Sequence, residues 1–177
     1  MKFAPSAFNL QHARYIIVND EDTKHRVYEA AQKQSKVKAA SAVILVLGDT
    51  EAYLQAGKIN EGLLHLGVID QREYEDTVSP IQRFYEKGGE SLKRDEAIRN
   101  ASLSAMLFML AAKEKGWDTC PMIGFDPEAI RQILRIPDQY VPVLMITIGK
   151  EDLSGQRARG YRKPVGEFVS YNQFQSK

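Results

Sequence analysis

The stretch Ala4-Pro5-Ser6-Ala7-Phe8-Asn9-Leu10-Gln11 runs within a few residues into Tyr15-Ile16-Ile17-Val18. Proline and serine followed by asparagine and glutamine mark a polar turn. The β-branched and aromatic run behind it, Arg14 to Val18, reads as a strand. Such a turn offers backbone N–H groups and side-chain amides at the edge of a sheet, where a planar polar ligand can be held. A strand entered in this way needs partners, and the rest of the chain supplies them.

Ser41-Ala42-Val43-Ile44-Leu45-Val46-Leu47 is a near-continuous apolar run closed by Gly48-Asp49, the pattern of a strand buried on both faces. Val141 to Gly149 reads as a further strand. Helical signals alternate with these runs. Asn19-Asp20-Glu21-Asp22 supplies N-cap candidates for a helix from Glu21 to Lys33. Thr50 to Lys93 reads as two short helices, the second from Asp70 to Tyr85, with Gly88-Gly89 as a breaker. Asp95 to Lys115 carries the clearest helical spacing, through Ile98, Leu103, Met106, Leu107, Leu110 and Ala111, with Gly116 beyond its end. Asp126-Pro127-Glu128 joins an N-cap acid to a first-turn proline, and Ile136-Pro137 stops the helix that follows near Leu134. Thr119 to Asp126 reads as a connector between helices, and Asp152 to Lys163 as a polar, basic loop before a short apolar segment at Phe168-Val169. Three or four buried strands alternating with helices give an α+β or α/β sandwich, a class that hosts many functions.

Composition narrows the functional classes. A formal charge of +1 gives no electrostatic reason to expect nucleic acid or an acidic membrane surface as partner. The longest apolar runs are too short to span a bilayer, and the N-terminus has no apolar signal-peptide core. One cysteine, Cys120, excludes an internal disulfide framework and suits a reducing compartment, so the expected location is cytoplasmic. Cys120 has no second cysteine and no cation beside it in sequence, which reads as packing. His12, His25 and His65 lack metal-ligand spacing, and no metal site is expected.

Three further segments bear on chemistry. Pro121-Met122-Ile123-Gly124-Phe125 contains a glycine that lets the main chain approach a ligand closely. Arg157-Ala158-Arg159-Gly160-Tyr161-Arg162-Lys163 is cationic enough to clamp a phosphate, although a solvated basic loop is the ordinary reading of such a run. Lys33, Gln34 and Lys36 precede the Ser41 strand and equally suit a solvated helix end.

Taken in order, these motifs resemble the nitroreductase family of FMN-dependent NAD(P)H oxidoreductases over Ala4 to about Val169. The resemblance implies an α+β fold with a mixed central sheet flanked by helices, one domain over residues 1–177, and a homodimer with the Asp95–Lys115 helix and the Thr50–Lys93 segment at its interface. It implies flavin contacts from Pro5, Ser6, Ala7, Asn9 and Gln11 in the first loop, and from Met122, Ile123 and Gly124 near the reactive N5. Lys33 and Lys36 would serve the pyrimidine edge or ribityl chain, and Arg159 and Arg162 the phosphate. Ile123 stands where many members carry an acid, and Ala13 where many carry an aromatic residue. The chemistry would lie on FMN itself, with no catalytic side chain: a ping-pong transfer from NADH or NADPH to nitroaromatic, quinone or similar electron-poor acceptors. In the family a helical segment carrying an Arg-x-Ser phosphate motif precedes the first loop, whereas Pro5 here lies four residues after the start, so weaker FMN retention is expected. A flavin-free member with a binding or structural role is the alternative that the residues leave open.

Overall fold

Residues Val43 to Asp49 are all buried, because the strand they belong to is flanked on both sides and covered on both faces. The computed structural model describes residues 1–155 and 158–174. Its strands are β1 (Ala13–Val18), β2 (Ala42–Asp49), β3 (Asp118–Met122) and β4 (Tyr140–Gly149), arranged in the order β1-β2-β4-β3. Every pairing among these strands is antiparallel. The α+β class is as expected, and a parallel pair, which would make the sheet mixed, is not found among the described strands.

The helices are α1 (Glu21–Ala30), α2 (Ser35–Ala39), α3 (Ala56–His65), α4 (Gln71–Glu114), α5 (Pro127–Leu134) and the short α6 (Val165–Phe168). One sheet face packs Val18, Val43, Leu45 and Met145 against Val27, Val37 and Ile130 from α1, α2 and α5. The other packs Ile44, Val46 and Ile146 against Ala101 and Ala105 of α4. A third cluster joins Leu10 to Tyr53, Ala56, Val78, Ile81 and Tyr85, and so ties the N-terminal loop to α3 and the first half of α4.

The structure revises four local readings. The helix expected to reach Lys33 stops at Ala30, where the Ala31 and Lys33 N–H groups donate back to the Tyr28 carbonyl while Gln32 and Lys33 turn left-handed at φ 55° and 56°. The two helices expected on either side of Gly88-Gly89 run on as one 44-residue element, capped at Asp70 by a reciprocal Asp70–Glu73 box. Gly89 still bends it, at φ 65° and ψ −167°, but helix resumes at once without a loop. The first half of the Thr119–Asp126 connector is instead part of strand β3, at whose edge position Pro121 is tolerated. Finally, α4 faces the sheet with small residues, Ala97, Ala101, Ser104 and Ala105, and turns Leu103, Met106 and Leu110 outward. The approach is close: a Cβ on Gly48 would lie 2.5 Å from the Ala97 carbonyl oxygen.

Candidate functional site

The first loop is held at a few points and otherwise exposed. Leu10 and His12 are buried, while Pro5, Phe8, Asn9 and Gln11 face solvent. Three non-glycine residues take left-handed backbone, Phe8 at φ 52°, Asn9 at 56° and Gln11 at 53°. Such conformations are costly and persist where the surroundings impose them. Here Asn100 of α4 accepts the Ala7 N–H through Oδ1 at 2.8 Å, and the Ser6 hydroxyl oxygen accepts the Gln11 N–H at 3.0 Å. Asn100 is itself buried and donates through Nδ2 to the Glu96 carbonyl at 2.7 Å. A cavity of about 220 Å³ lies beside the loop, lined by Ser6, Gln11, His12, Arg14, Tyr15 and Asn100 among others.

His12 closes one wall of that cavity. Its Nε2 lies 3.4 Å from the Tyr85 hydroxyl, and its Nδ1 is buried without a partner among the described residues. Burial pushes the imidazole down to about 4, against the upward pull of the Asp49 carboxylate and with a small further push from Arg14. His12 is therefore neutral near pH 7. Arg14 lies 3.6 Å from Asp49, and the Tyr15 hydroxyl lies 2.6 Å from Ser104.

A second group of candidates meets at the other edge of the sheet. The turn between β3 and α5 puts Gly124 beside α2, where Gln34 Nε2 donates to the Gly124 carbonyl at 2.7 Å. A Cβ at Gly124 would lie 2.9 Å from that same amide nitrogen, so glycine is what lets Gln34 sit so close. Phe125 N–H bonds to Ile123 O across the turn, and the Gly124 N–H has no acceptor among the described residues. Lys33 and Lys36 stand on either side of Gln34 in sequence and are exposed; Lys33 Nζ lies 3.4 Å from the Glu29 carboxylate. Lys36 Nζ lies 3.2 Å from Cys120 Sγ, so the thiol does have a cation beside it, brought across 84 positions by the fold. Met122 is half-buried and Ile123 is 81% exposed.

The third group stands apart. Arg159 and Arg162 lie in the exposed tail, where Arg162 Nη1 donates to the Gly160 and Tyr161 carbonyls at 3.2 and 3.0 Å. Arg157 lies outside the described residues. The candidates thus fall into three places. Pro5, Ser6, Ala7, Asn9 and Gln11 precede β1 on the α4 face, and Lys33, Lys36, Met122, Ile123 and Gly124 gather at the β3 edge with α2. Two strands separate β1 from β3, a distance of about 14 Å at the usual strand spacing.

Sequence reasoning missed Asn100 and underrated His12. Asn100 stands among Ala97, Ala101 and Ala105 on the sheet-facing side of α4, and a polar residue on a small apolar face was the available signal. His12 adjoins Gln11 but shows no metal or triad spacing, and only its burial distinguishes it.

Comparison with known proteins bears on the fold and the family. The Nitroreductase family model matches residues 1–150. The chain is 62% identical to MhqN of Bacillus subtilis (strain 168), which carries a provisional NAD(P)H nitroreductase name, over 95% of this chain and 82% of that protein. A solved Bacillus subtilis structure assigned as a nitroreductase superposes with a TM-score of 0.95 at 59% identity, covering 96% of this chain and 82% of the other. Another, from Exiguobacterium sibiricum 255-15 and solved in complex with FMN, superposes with a TM-score of 0.86 at 30% identity, covering 96% and 81%. With its fold, the order of its loops and its sequence in agreement, the chain belongs to the nitroreductase family.

Proposed function

We propose that the protein is an FMN-dependent oxidoreductase that takes hydride from NADH or NADPH and reduces nitroaromatic, quinone or similar electron-poor acceptors. The observation that carries this reading is the turn at Gly124. It presents a main-chain N–H without an acceptor among the described residues, locked by the Gln34 amide, with exposed Lys36 beside Cys120 in the adjoining strand. That donor set fits a flavin, whose ring offers an acceptor nitrogen beside a pyrimidine edge that becomes anionic on reduction. When bound, FMN supplies the redox chemistry, one substrate leaving before the next enters. The chain supplies position and charge. The Gly124 N–H would hold the ring by its acceptor edge, Lys33 and Lys36 would favour the anionic form, and Arg159 with Arg162 would neutralise phosphate. Membership of the family and the FMN-bound relative support this assignment.

The working unit in this reading is a homodimer. The first loop and the Gly124 turn sit at opposite edges of the sheet, on α4 and α2 respectively, so the loop of a second copy is what would complete each site. The outward stripe of α4 gives that copy an apolar surface, with Leu103, Met106 and Leu110 all about half exposed. Among the described residues no helix is long and apolar enough to cross a membrane, and the cytoplasmic reading rests on the single cysteine.

The test is spectroscopic. The purified protein, titrated with FMN, is expected to quench flavin fluorescence and to show a flavin absorption band bleached anaerobically by NADH or NADPH and restored by a quinone. Failure to bind FMN at any concentration, with no NAD(P)H oxidation when FMN is in excess, overturns the reading.

A further inference from the structure

Ile123 is a branched apolar side chain that stands 81% exposed in the turn between β3 and α5. The turn is held on three sides. Phe125 N–H donates to the Ile123 carbonyl at 2.9 Å, Gln34 Nε2 donates to the Gly124 carbonyl at 2.7 Å, and Asp126 N–H donates to the Ala30 carbonyl at 2.9 Å. The exposure of Ile123 is therefore imposed by a fastened backbone. A single exposed apolar residue is ordinary on a surface at large. This one immediately precedes the Gly124 N–H, which has no acceptor among the described residues. Its surroundings in sequence are uncharged, since Cys120 to Phe125 carry no acid or base. Asp126 follows, but its carboxylate accepts the Glu128 and Ala129 N–H groups at 2.9 and 3.1 Å and so caps α5.

We propose that Ile123 is a specificity-determining residue that packs against the apolar body of the electron acceptor, so that this side of the site selects by apolar contact and not by charge. The proposal rests on the flavin reading above, in which the Gly124 N–H holds the ring by the nitrogen that carries hydride. The Ile123 Cα and the Gly124 N–H belong to one planar peptide unit, so the Ile123 side chain flanks whatever that N–H holds. An acceptor must bring its reacting atom within about 3–3.5 Å of the hydride-bearing atom. Its body then comes within reach of the exposed face of Ile123. Contact there removes apolar surface of both partners from water, which favours acceptors with an extended apolar frame over compact, hydrated ones.

Steady-state kinetics and calorimetry of the FMN-loaded protein test this. Ile123→Ala is expected to raise KM for a neutral naphthoquinone about three- to tenfold relative to KM for ferricyanide, a compact charged acceptor with no apolar frame. The Kd of 2-naphthol, a two-ring mimic that cannot accept hydride, should rise by the same factor in calorimetric titration. Ile123→Leu, which keeps the apolar volume, should restore both. Because the side chain stands mostly in solvent, Ile123→Ala should melt at the parent temperature, which separates a lost contact from a folding defect. Equal changes for naphthoquinone and ferricyanide overturn the proposal while leaving the flavin reading in place, and so do unchanged KM and Kd. A shift in oligomeric state with KM and Kd unchanged also overturns it, because Ile123 then packs against protein. A parent protein that binds no FMN overturns the flavin reading, and the proposal with it.

Discussion

His12 couples the first loop to pH. Its folded pKa of about 4 lies below the ordinary value of 6.5, so between these limits the unfolded chain binds the proton more readily than the folded one. Stability from this group is complete above about pH 6.5 and falls as pH drops towards 4, by an amount on the order of 3 kcal/mol. Melting temperatures recorded across this range should slope downward on acidification, and His12→Asn should flatten that slope. At the same scale, Asn100→Ala removes the acceptor of the Ala7 N–H and should cost about 1–3 kcal/mol in denaturant unfolding. It should also loosen the loop, which would be read as faster loss of FMN on dialysis. A variant as stable as the parent would show that the Ala7–Asn100 bond contributes nothing net.

The long helix α4 depends on glycine at two contacts of different kinds. At Gly89 nothing lies within 4 Å of the position a Cβ would take, so Gly89→Ala is opposed by backbone strain alone, about 1–3 kcal/mol. Gly48→Ala, by contrast, drives a methyl group into the Ala97 carbonyl and should push α4 off the sheet. The two should separate experimentally. Gly89→Ala should lower the melting temperature and alter the arm that carries Phe84, while Gly48→Ala should destabilise the sheet–helix contact and loosen Asn100, three residues from Ala97. The kink was legible in sequence because Gly88-Gly89 interrupts a helical pattern. The inward face of α4 was not, because its sheet-facing residues are mostly alanines, whereas the large apolar side chains that dominate the periodicity point outward.

At the scale of the whole molecule, the outward stripe of α4 and the divided site make one prediction. Replacing Met106 and Leu110 together by Glu should dissociate the proposed dimer, as sedimentation would report, and FMN retention should fall with it even though neither residue belongs to the proposed flavin contacts. A monomer that keeps its flavin would mean each chain completes its own site. Arg162→Ala should weaken FMN binding about ten- to a hundredfold, the equivalent of one lost charge-assisted bond, with little effect on the stability of the apoprotein. An unchanged affinity would remove the tail from the phosphate site.

Local chemistry determined much of this protein from sequence alone. The β-branched runs specify β1, β2 and β4, and Asp126-Pro127 starts α5 as the capping preference dictates. The order of the loops identifies the family. These features depend on residues close in sequence, whose periodicity and turn chemistry act before any long-range contact forms. Strand β3 escaped because its proline argues against a strand until an edge position excuses the missing N–H. Only the tertiary structure decided which candidates meet. Gln34 reaches Gly124 across 90 positions, Lys36 reaches Cys120 across 84 and Ala7 reaches Asn100 across 93. Strand order and register bring these pairs together, and both are set by packing the apolar faces of the whole chain at once, which no local spacing encodes.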